Sequence, residues 1–307
     1  MMWEEPIPTQ PELAARFRAL VEQGRPLVLP GAHDGLAALL ARRAGFEALY
    51  LSGAAFTASL GLPDLGLVAG EETARRAQEI VAAAGLPLLV DVDTGFGGPI
   101  NVVRTGRQMV AAGVAAVQVE DQELPKKCGH LSGKRLVSAR EMAQKIEALR
   151  RTAPSLVVVA RTDAAAVEGI EGAIARARIY RAAGAEILFP EALTSEGEFR
   201  RFAEAVGGPL LANMTEFGRT PYLTAARLFE LGYQVVLFPV TALRVAARAM
   251  EEAYRTLREA GTQRALLSRM QTRKELYEII GYFDYEALDE RLARSELPEV
   301  GEGATES

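Results

Sequence analysis

Short apolar runs alternate with Ala-rich amphipathic segments along most of the chain. Each run ends in polar or glycine residues, and the segment after it usually closes on a glycine just before the next run. The apolar runs are continuous, which is typical of parallel β-strands that are covered on both faces. The segments between them carry apolar residues at helical spacing. The pattern therefore predicts a series of strand–helix units.

Eight such units follow one another. The strands are predicted at residues 27–30, 48–51, 87–93, 115–120, 156–161, 186–189, 209–213 and 234–238. The helices that follow them are predicted near residues 34–44, 71–84, 99–112, 138–150, 169–183, 195–205, 221–231 and 241–259. A further amphipathic helix is predicted ahead of the first strand, over residues 11–23.

The eight units predict an α/β fold, the (β/α)8 TIM-type barrel. A doubly wound open sheet is the alternative, but no Gly-x-Gly-x-x-Gly dinucleotide signature opens the first unit. The expected organisation is a single domain overall. It consists of an N-terminal helix and catalytic barrel over 1–260, a helical extension over 261–297 and a disordered tail over 298–307.

The predicted extension is not needed to close a barrel. It contains a helical stretch near 263–280, which Gly281–Tyr285 is expected to separate from another helix. These extra C-terminal helices either cap the barrel or pack on a neighbouring subunit, and we favour a swap between subunits.

Composition narrows the class of protein. The net charge of −5 does not favour nucleic acid or an anionic membrane as a partner. The single cysteine cannot form an internal disulfide, which is typical of a reducing compartment. The N-terminus lacks the apolar core of a signal peptide, and no apolar run is long enough to span a bilayer. We expect a cytoplasmic enzyme that binds a small molecule.

The one cysteine, Cys128, follows the fourth predicted strand in a basic segment. Lys126 and Lys127 precede it, and Gly129 and His130 come directly after it. Cationic neighbours favour the thiolate and lower the pKa of a cysteine, and histidine titrates near neutral pH. A buried structural cysteine is the alternative, although a loop is an unusual place for one. The segment is therefore a candidate for proton transfer.

The active site of such a barrel lies at the C-terminal ends of its strands, and polar residues collect there in this sequence. In chain order they are Ser52, Gly53, Ala54, Asp64, Asp91, Asp93, Glu120, Cys128, His130, Arg161, Asp163, Glu191, Asn213, Thr215, Glu216 and Arg244. Helix N-caps could explain one or two of the carboxylates. They do not explain acidic residues from several strands converging on one mouth.

Asp91 and Asp93 lie two residues apart on the predicted third strand, so both side chains should point to the same face. Adjacent carboxylates repel each other unless a cation lies between them. Oxygen ligands with retained waters suit Mg²⁺, or Mn²⁺ in its place. Asp64 and Glu120 are expected to orient the waters of the metal. A satisfied carboxylate ladder without metal is the alternative.

Arg161 ends an apolar strand, where a buried cation needs an anionic partner. Glu191 could be that partner, or Arg161 could bind a substrate carboxylate in a bidentate manner. Ser52, with the backbone N–H groups of Gly53 and Ala54, can form a second carboxylate cradle.

Five segments resemble the isocitrate lyase and phosphoenolpyruvate mutase superfamily. Tyr50–Gly53 is similar to a pyruvyl-binding turn, and Asp91–Gly97 is similar to a metal-binding segment. Lys126–His130 is similar to the signature of the lyase branch, and Asn213–Gly218 is similar to a carboxylate-binding segment. Thr272–Tyr277 resembles a segment in which the family's arginine contacts substrate. The resemblance covers nearly the whole chain, and the short methylisocitrate lyase branch matches best. Longer isocitrate lyases carry insertions for which this chain has no room.

The resemblance implies a Mg²⁺-dependent oxo-acid-lyase that cleaves 2-methylisocitrate to pyruvate and succinate in propionate catabolism. A lyase of isocitrate or 2,3-dimethylmalate is an alternative, and a non-catalytic binding barrel is another. Phe189 stands where isocitrate lyases typically have Trp, which would leave room for the extra methyl group. Ala54 replaces a frequent glycine, which would preserve a backbone contact. A homotetramer with exchanged C-terminal helices is also implied.

The expected roles can be stated residue by residue. Cys128 is the expected general acid, Lys126 and His130 tune its protonation, and Asp64 is one candidate for the base that takes the substrate hydroxyl proton. The expected contacts to a di- or tricarboxylate substrate are Ser52, Gly53, Ala54, Gly129, Arg161, Glu191, Asn213, Met214, Thr215, Arg244 and Arg273. Met214 and Arg273 rest on the resemblance alone.

Overall fold

The computed structural model describes residues 8–127, 129 and 133–294. Cys128 and His130, two of the predicted catalytic residues, lie outside the described residues, as does the predicted tail. The chain divides into two compact units, of which the first ends at Gln263 and the second begins at Arg264.

The first unit is built on eight short parallel strands. They are β1 (Leu27–Pro30), β2 (Leu49–Leu51), β3 (Leu88–Asp91), β4 (Ala116–Glu120), β5 (Val157–Thr162), β6 (Ile187–Pro190), β7 (Leu211–Asn213) and β8 (Val235–Phe238). Hydrogen-bonded neighbours run β2-β3-β4-β5-β6 and β1-β8-β7. Parallel bridges from Gly31 to Tyr50 and from Leu188 to Leu210 join the two groups of strands. The strands therefore close into a barrel, which confirms the predicted α/β fold and rules out the open sheet.

Ten α-helices accompany the strands in the described part of this unit. They are α1 (Gln10–Glu22), α2 (Gly35–Arg43), α3 (Gly53–Ser59), α4 (Gly70–Ala84), α5 (Pro99–Ala111), α6 (Ala139–Thr152), α7 (Gly169–Ala182), α8 (Glu196–Val206), α9 (Ala225–Glu230) and α10 (Thr241–Ala260). The order agrees with the prediction, with two differences. Helix α9 begins later, where the Thr224 hydroxyl accepts from the Arg227 N–H, and α3 follows β2 where the sequence predicted only a turn.

The strands are buried on both faces, as their continuous apolar runs predicted. Every residue of β3, β4, β5 and β6 is buried, because one face lines the barrel interior and the other lies under the helices. Large aromatic side chains complete the core, and Phe199 packs edge-on against Tyr233 with ring centres 5.0 Å apart. This rigid frame fixes where the strand ends place their polar residues.

The second unit contains a 3-10 helix (Arg264–Arg269), α11 (Arg273–Ile279) and α12 (Tyr282–Ala293). Thr272 and Glu275 form a reciprocal capping box at the start of α11, so Arg273 is the first residue of that helix. Ile280 and Gly281 separate the two helices, and Gly281 has a φ of 71°. The predicted break at Tyr282–Tyr285 is instead the first turn of α12. No helix in the described part of the chain is long and apolar enough to cross a bilayer.

Candidate active site

A cavity of about 100 Å³ opens at the C-terminal ends of the barrel strands. Its lining residues are Tyr50, Ser52, Ala54, Asp64, Asp91, Glu120, Lys126, Lys127, Gly129, Arg161, Glu191, Asn213, Thr215, Pro239, Val240 and Arg244. Most of the described residues that the sequence predicted for the site are among them. Residues far apart in the chain are brought together because parallel strands all end at the same rim.

Asp91 and Asp93 come together by a route that the sequence did not predict. Strand β3 ends at Asp91, and Asp93 lies beyond it in the left-handed region with a φ of 48°, which aspartate tolerates better than most residues. The Asp93 N–H donates to Asp91 Oδ1 over 3.1 Å. A turn, and not strand alternation, therefore places both carboxylates beside Gly53, whose missing Cβ would lie 3.1 Å from Asp93 and 3.2 Å from Asp91.

Asp91 is held in place by neighbours on both sides. Its Oδ2 accepts from the Gly53 N–H over 3.2 Å, and its Oδ1 accepts from Gln118 Nε2 over 3.1 Å. The Gln118 amide oxygen in turn accepts from the Tyr50 hydroxyl over 2.8 Å. Tyr50 and Gln118 are therefore positioning residues that the sequence analysis missed. Tyr50 could have been found, because it lies two residues before Ser52 and shares its direction on an extended strand.

Lys126 is buried between two carboxylates. Its side chain is only 4% exposed, its Nζ lies 2.6 Å from Asp93 Oδ1, and it also pairs with Asp64. Burial would lower the pKa of Lys126, but Asp93, Glu120, Asp91 and Asp64 together raise it well above its usual range. The lysine is thus fully charged, and its described partners are carboxylates.

The pKa of Asp93 is raised to about 6, chiefly by burial and next by the charge of Asp91. Lys126 opposes this rise. The metal-free pocket therefore contains a carboxylate that titrates close to neutral pH.

Arg161 lies among three carboxylates. Its Nε and Nη2 donate to the two oxygens of Asp163 over 3.0 and 3.2 Å. Glu120 and Glu191 each lie 3.4 Å from its guanidinium nitrogens. Burial would lower the pKa of Arg161, but these acidic neighbours raise it well above its usual value. Arg161 is thus a fixed positive charge at the cavity wall, and Glu191 is one of its partners.

Phe189 supports Arg161 from behind. The Arg161 guanidinium carbon lies 5.4 Å from the centre of the Phe189 ring, and the ring is buried. The side chain is not among the described residues that line the cavity. Phe189 therefore lies behind Arg161, and its expected effect on a substrate methyl stays a prediction.

The carboxylates fit a hydrated Mg²⁺ ion. Asp64 Oδ1, Asp93 Oδ1 and Glu120 Oε1 are buried carboxylate oxygens. Lys126 forms ion pairs with the first two, and Glu120 Oε1 has no hydrogen-bond donor among the described residues. Among the described residues, no three or more His, Cys, Asp or Glu side chains gather tightly enough to hold a metal by themselves. Mg²⁺ usually keeps several waters and takes only one or two carboxylates. An oxygen-only wall with unsatisfied acceptors suits such an ion.

Ser52 lies at the junction of β2 and α3. Its hydroxyl accepts from the Ala55 N–H over 3.3 Å and so caps the helix. Ser52 and Ala54 line the cavity, but the Gly53 N–H already donates to Asp91. The predicted cradle for a carboxylate is thus reduced to Ser52 and Ala54.

The residues after β7 form the opposite part of the rim. Asn213 donates its amide N–H to Glu191 over 3.3 Å, and its oxygen accepts from the Thr215 N–H over 3.0 Å. Met214 is buried, pairs with β8 through its backbone and does not line the described cavity. Arg244 is half-exposed and stacks on Phe217 at 5.3 Å.

The segment after β4 brings Gly129 into the cavity lining. A Cβ at Gly129 would lie 2.4 Å from Glu191 Cγ and 2.5 Å from Arg161 Nη2, which no side chain could tolerate. Gly129 therefore packs directly on the Arg161–Glu191 pair. Lys127, which the sequence marked as a cationic neighbour of Cys128, also lines the cavity. Pro239 and Val240 line it too, and no sequence signal marked them.

Comparisons with known proteins find relatives that match nearly the whole chain. A family model described as phosphoenolpyruvate phosphomutase matches residues 17–258. The 2-methylisocitrate lyase of Bacillus subtilis (strain 168) is 59% identical over 291 residues, which cover 95% of this chain and 97% of the relative. A solved structure of 2,3-dimethylmalate lyase is 36% identical with a TM-score of 0.87, and the match covers 98% of this chain and 100% of that one.

A second solved structure, phosphonopyruvate hydrolase in complex with oxalate and Mg²⁺, is 29% identical with a TM-score of 0.83. The match covers 94% of this chain and 100% of the related structure's chain. The 59% identity to the Bacillus subtilis relative over nearly the full length, together with the barrel and its acidic rim, assigns the family. The chain belongs to the phosphoenolpyruvate mutase/isocitrate lyase superfamily, among its 2-methylisocitrate lyases.

Proposed function

We propose that this chain is an oxo-acid-lyase that cleaves 2-methylisocitrate into pyruvate and succinate in propionate catabolism. The observation that carries the proposal is a single cavity that combines oxygen ligands for a metal with guanidinium groups for carboxylates. The oxygen ligands come from Asp64, Asp91 and Glu120, and the guanidinium groups come from Arg161 and Arg244. The high identity to a 2-methylisocitrate lyase selects the substrate.

Asp91 and Asp93 would hold Mg²⁺, or Mn²⁺ in its place, while Asp64 and Glu120 orient its waters. When bound, the ion polarises the hydroxyl group and the neighbouring carboxylate of the substrate. Support comes from the unsatisfied buried oxygens of this wall and from the Mg²⁺ named in the related hydrolase structure.

Cleavage needs a base for the substrate hydroxyl and an acid for the carbon that is released. Asp64 is the candidate base, because it lines the cavity and its carboxylate is held there by the Lys126 ammonium. As the hydroxyl becomes the carbonyl of pyruvate, the electron pair of the broken bond moves to the succinyl fragment. Cys128, which is covalently next to the cavity residue Gly129, would donate its proton there, with Lys126 and His130 influencing its protonation.

The negative charge that develops on the succinyl fragment needs donors. Arg161, Asn213, His130 and the Gly129 N–H would supply them. The remaining carboxylates would be bound by Ser52, Ala54, Thr215 and Arg244, which all line the cavity. Glu191 acts by orienting Arg161 and Asn213, since it contacts both.

A substrate panel tests the proposal. Purified protein with Mg²⁺ is offered 2-methylisocitrate, isocitrate and 2,3-dimethylmalate, and kcat/KM is measured for each. We expect 2-methylisocitrate to be preferred to isocitrate by about 10–200-fold, the range for one methyl group in an apolar pocket. The related dimethylmalate lyase structure makes 2,3-dimethylmalate the second candidate. A higher kcat/KM for either competitor would overturn the substrate assignment.

Replacing the proposed acid tests the mechanism. In Cys128→Ser a poor proton donor replaces the thiol, so kcat should fall by about 10²–10⁴-fold, the usual contribution of a positioned acid. The far-UV spectrum and the binding of succinate should remain. Unchanged turnover in the variant would remove the acid role. If neither the natural protein nor the variant turned over any substrate of the panel, a non-catalytic binding barrel would be favoured.

We also propose a homotetramer in which the C-terminal helices are exchanged between subunits. Neither α10 nor α12 buries any of its residues within one chain. The second unit also exposes the aromatic side chains of Tyr282, Phe283 and Tyr285. Exposed apolar surface of this extent is typical of protein–protein contacts.

A further inference from the structure

Lys134 is a buried cation that the proposed reaction does not use. Its side chain is only 1% exposed and lies on the return leg of the segment that follows β4. The Lys134 ammonium donates to the Gly129 carbonyl and lies 3.1 Å from Asp163 Oδ1. A buried ammonium is retained only where it is paired, and both of these partners are next to the proposed active site.

Asp163 connects Lys134 to Arg161. Its Oδ1 faces the Lys134 ammonium and also accepts from Arg161 Nη2, while its Oδ2 accepts from Arg161 Nε. Its backbone N–H donates to Asp121 over 3.0 Å, so the carboxylate cannot easily shift. Lys134 and Arg161 are therefore held by one fixed anion.

Gly129 is the point at which the segment meets the cavity. Its Cα packs on the Arg161–Glu191 pair too closely for a side chain. The outgoing leg before it is fixed by Gln122, whose side chain both accepts from the Lys127 N–H over 2.9 Å and donates to the Lys127 carbonyl over 2.8 Å. Beyond Lys127, the Lys134 contact is the described side-chain bond that holds Gly129 against the barrel.

We propose that Lys134 is a positioning residue that ties the Gly129 carbonyl to Asp163 and so holds Gly129 against the Arg161–Glu191 pair. The proposal rests on the proposed function and deepens it, because Gly129 directly follows the proposed acid in the sequence. It also explains a buried positive charge that contacts neither the cavity nor solvent.

The chain contains one cysteine, so thiol alkylation reports on this segment alone. Intact-mass measurement gives the rate of alkylation of Cys128 by iodoacetamide in the natural protein and in Lys134→Met, without substrate. We expect the rate to rise by about tenfold or more in Lys134→Met, the factor that corresponds to losing one charge-assisted hydrogen bond. With 2-methylisocitrate, kcat should fall while KM changes little.

Lys145→Met is the matched control, because Lys145 is also buried and donates to a backbone carbonyl, that of Thr94, outside this segment. Its alkylation rate should match the natural protein, whatever its activity. An unchanged rate in folded Lys134→Met, or an equal rise in Lys145→Met, would overturn the proposal. If Lys134→Met does not fold, Lys134→Gln takes its place, because it removes the charge but keeps a polar side chain, and the same outcomes decide. Because alkylation needs no substrate, a failure here is distinguishable from failure of the lyase assignment.

Discussion

At the scale of single residues, the site is a set of buried charges that hold one another in place. Lys126 is paired with Asp64 and Asp93, and Arg161 with Asp163. Removing one partner of a buried pair costs about 3–5 kcal/mol, because the other charge stays behind unpaired. Residues that orient these charges without touching substrate should therefore have measurable effects on metal and substrate binding.

Tyr50 offers the first test of such an effect. Tyr50→Phe removes the donor to Gln118, which orients Asp91. We expect the Mg²⁺ concentration for half-maximal activity to rise by about 10–100-fold, the usual effect of losing a residue that orients a metal ligand. Tyr233→Phe is the control, since that buried hydroxyl donates to the Phe199 carbonyl in the core. Equal Mg²⁺ requirements in the two variants would contradict the role.

Asp93 offers a test by pH. Its pKa of about 6 lies above the ordinary 3.8, so the folded protein binds this proton more tightly than the unfolded chain. The stability linked to that proton is complete below about pH 4 and is lost as the pH rises through about 6. Asp93→Asn stays neutral and avoids this loss. Without metal, the free energy of unfolding of the variant relative to that of the natural protein should therefore increase by up to about 3 kcal/mol between acid pH and pH 8.

Urea unfolding in the presence of EDTA across this pH range measures the difference. Adding Mg²⁺ should reduce this relative gain at pH 8, because only the natural protein has both carboxylates for the ion. A stability difference that does not change with pH would show that Asp93 titrates in its ordinary range.

Sequence reasoning at this scale found the residue types at the strand ends but not their partners. Asp91, Glu120 and Arg161 were predictable because each ends a buried apolar run. Lys134 was not, because its partners are a carboxylate on another strand and a backbone carbonyl. Such contacts depend on the path of a loop, for which periodicity carries no information.

At the scale of elements, the site depends on how β4, β5 and α7 are joined behind it. Asp121, just after β4, accepts from the Thr162 hydroxyl and the Asp163 N–H at the end of β5. It also accepts from the Tyr180 hydroxyl of α7 over 2.7 Å. Burial, and next the charge of Asp163, raise the pKa of Asp121, while these hydrogen bonds oppose the rise.

Tyr180→Phe tests this junction. It leaves a buried carboxylate with one donor fewer, so the free energy of unfolding should fall by about 1–3 kcal/mol. Tyr222→Phe, at a residue 69% exposed, should change it by less than about 0.5 kcal/mol. Urea denaturation compares the two, and equal effects would show that the Tyr180 hydroxyl does not support the junction.

The elements themselves were largely predictable from sequence. The eight strands could be predicted because a strand that is covered on both faces appears in the sequence as a continuous apolar run. Helix α3 was missed because Ser52-Gly53 is typical of a turn, whereas Ser52 here serves as an N-cap and Phe56 is buried. Asp93 was assigned to a strand because a left-handed turn leaves no mark on the apolar pattern.

At the scale of the whole molecule, helix α10 exposes a row of large apolar side chains. Met250, Tyr254 and Leu257 follow one another at helical spacing and are 48%, 68% and 43% exposed. Each large apolar side chain that becomes fully buried contributes about 1.5–3 kcal/mol. A row of them on a long helix fits the proposed tetramer, in which a second copy of the chain covers this face.

Charges on this face should therefore weaken assembly. The double variant Met250→Glu/Tyr254→Glu would place two carboxylates in the proposed interface, where unpaired charge is strongly unfavourable. Light scattering coupled to size exclusion should give four times the chain mass of 33.1 kDa for the natural protein and a smaller assembly for the variant. Arg255→Glu, which changes the net charge equally but lies on the opposite side of the helix, should remain tetrameric. Since the proposed catalytic groups all belong to one barrel except Arg273, a dissociated variant that keeps full activity would also show that no residue from a partner is needed for turnover.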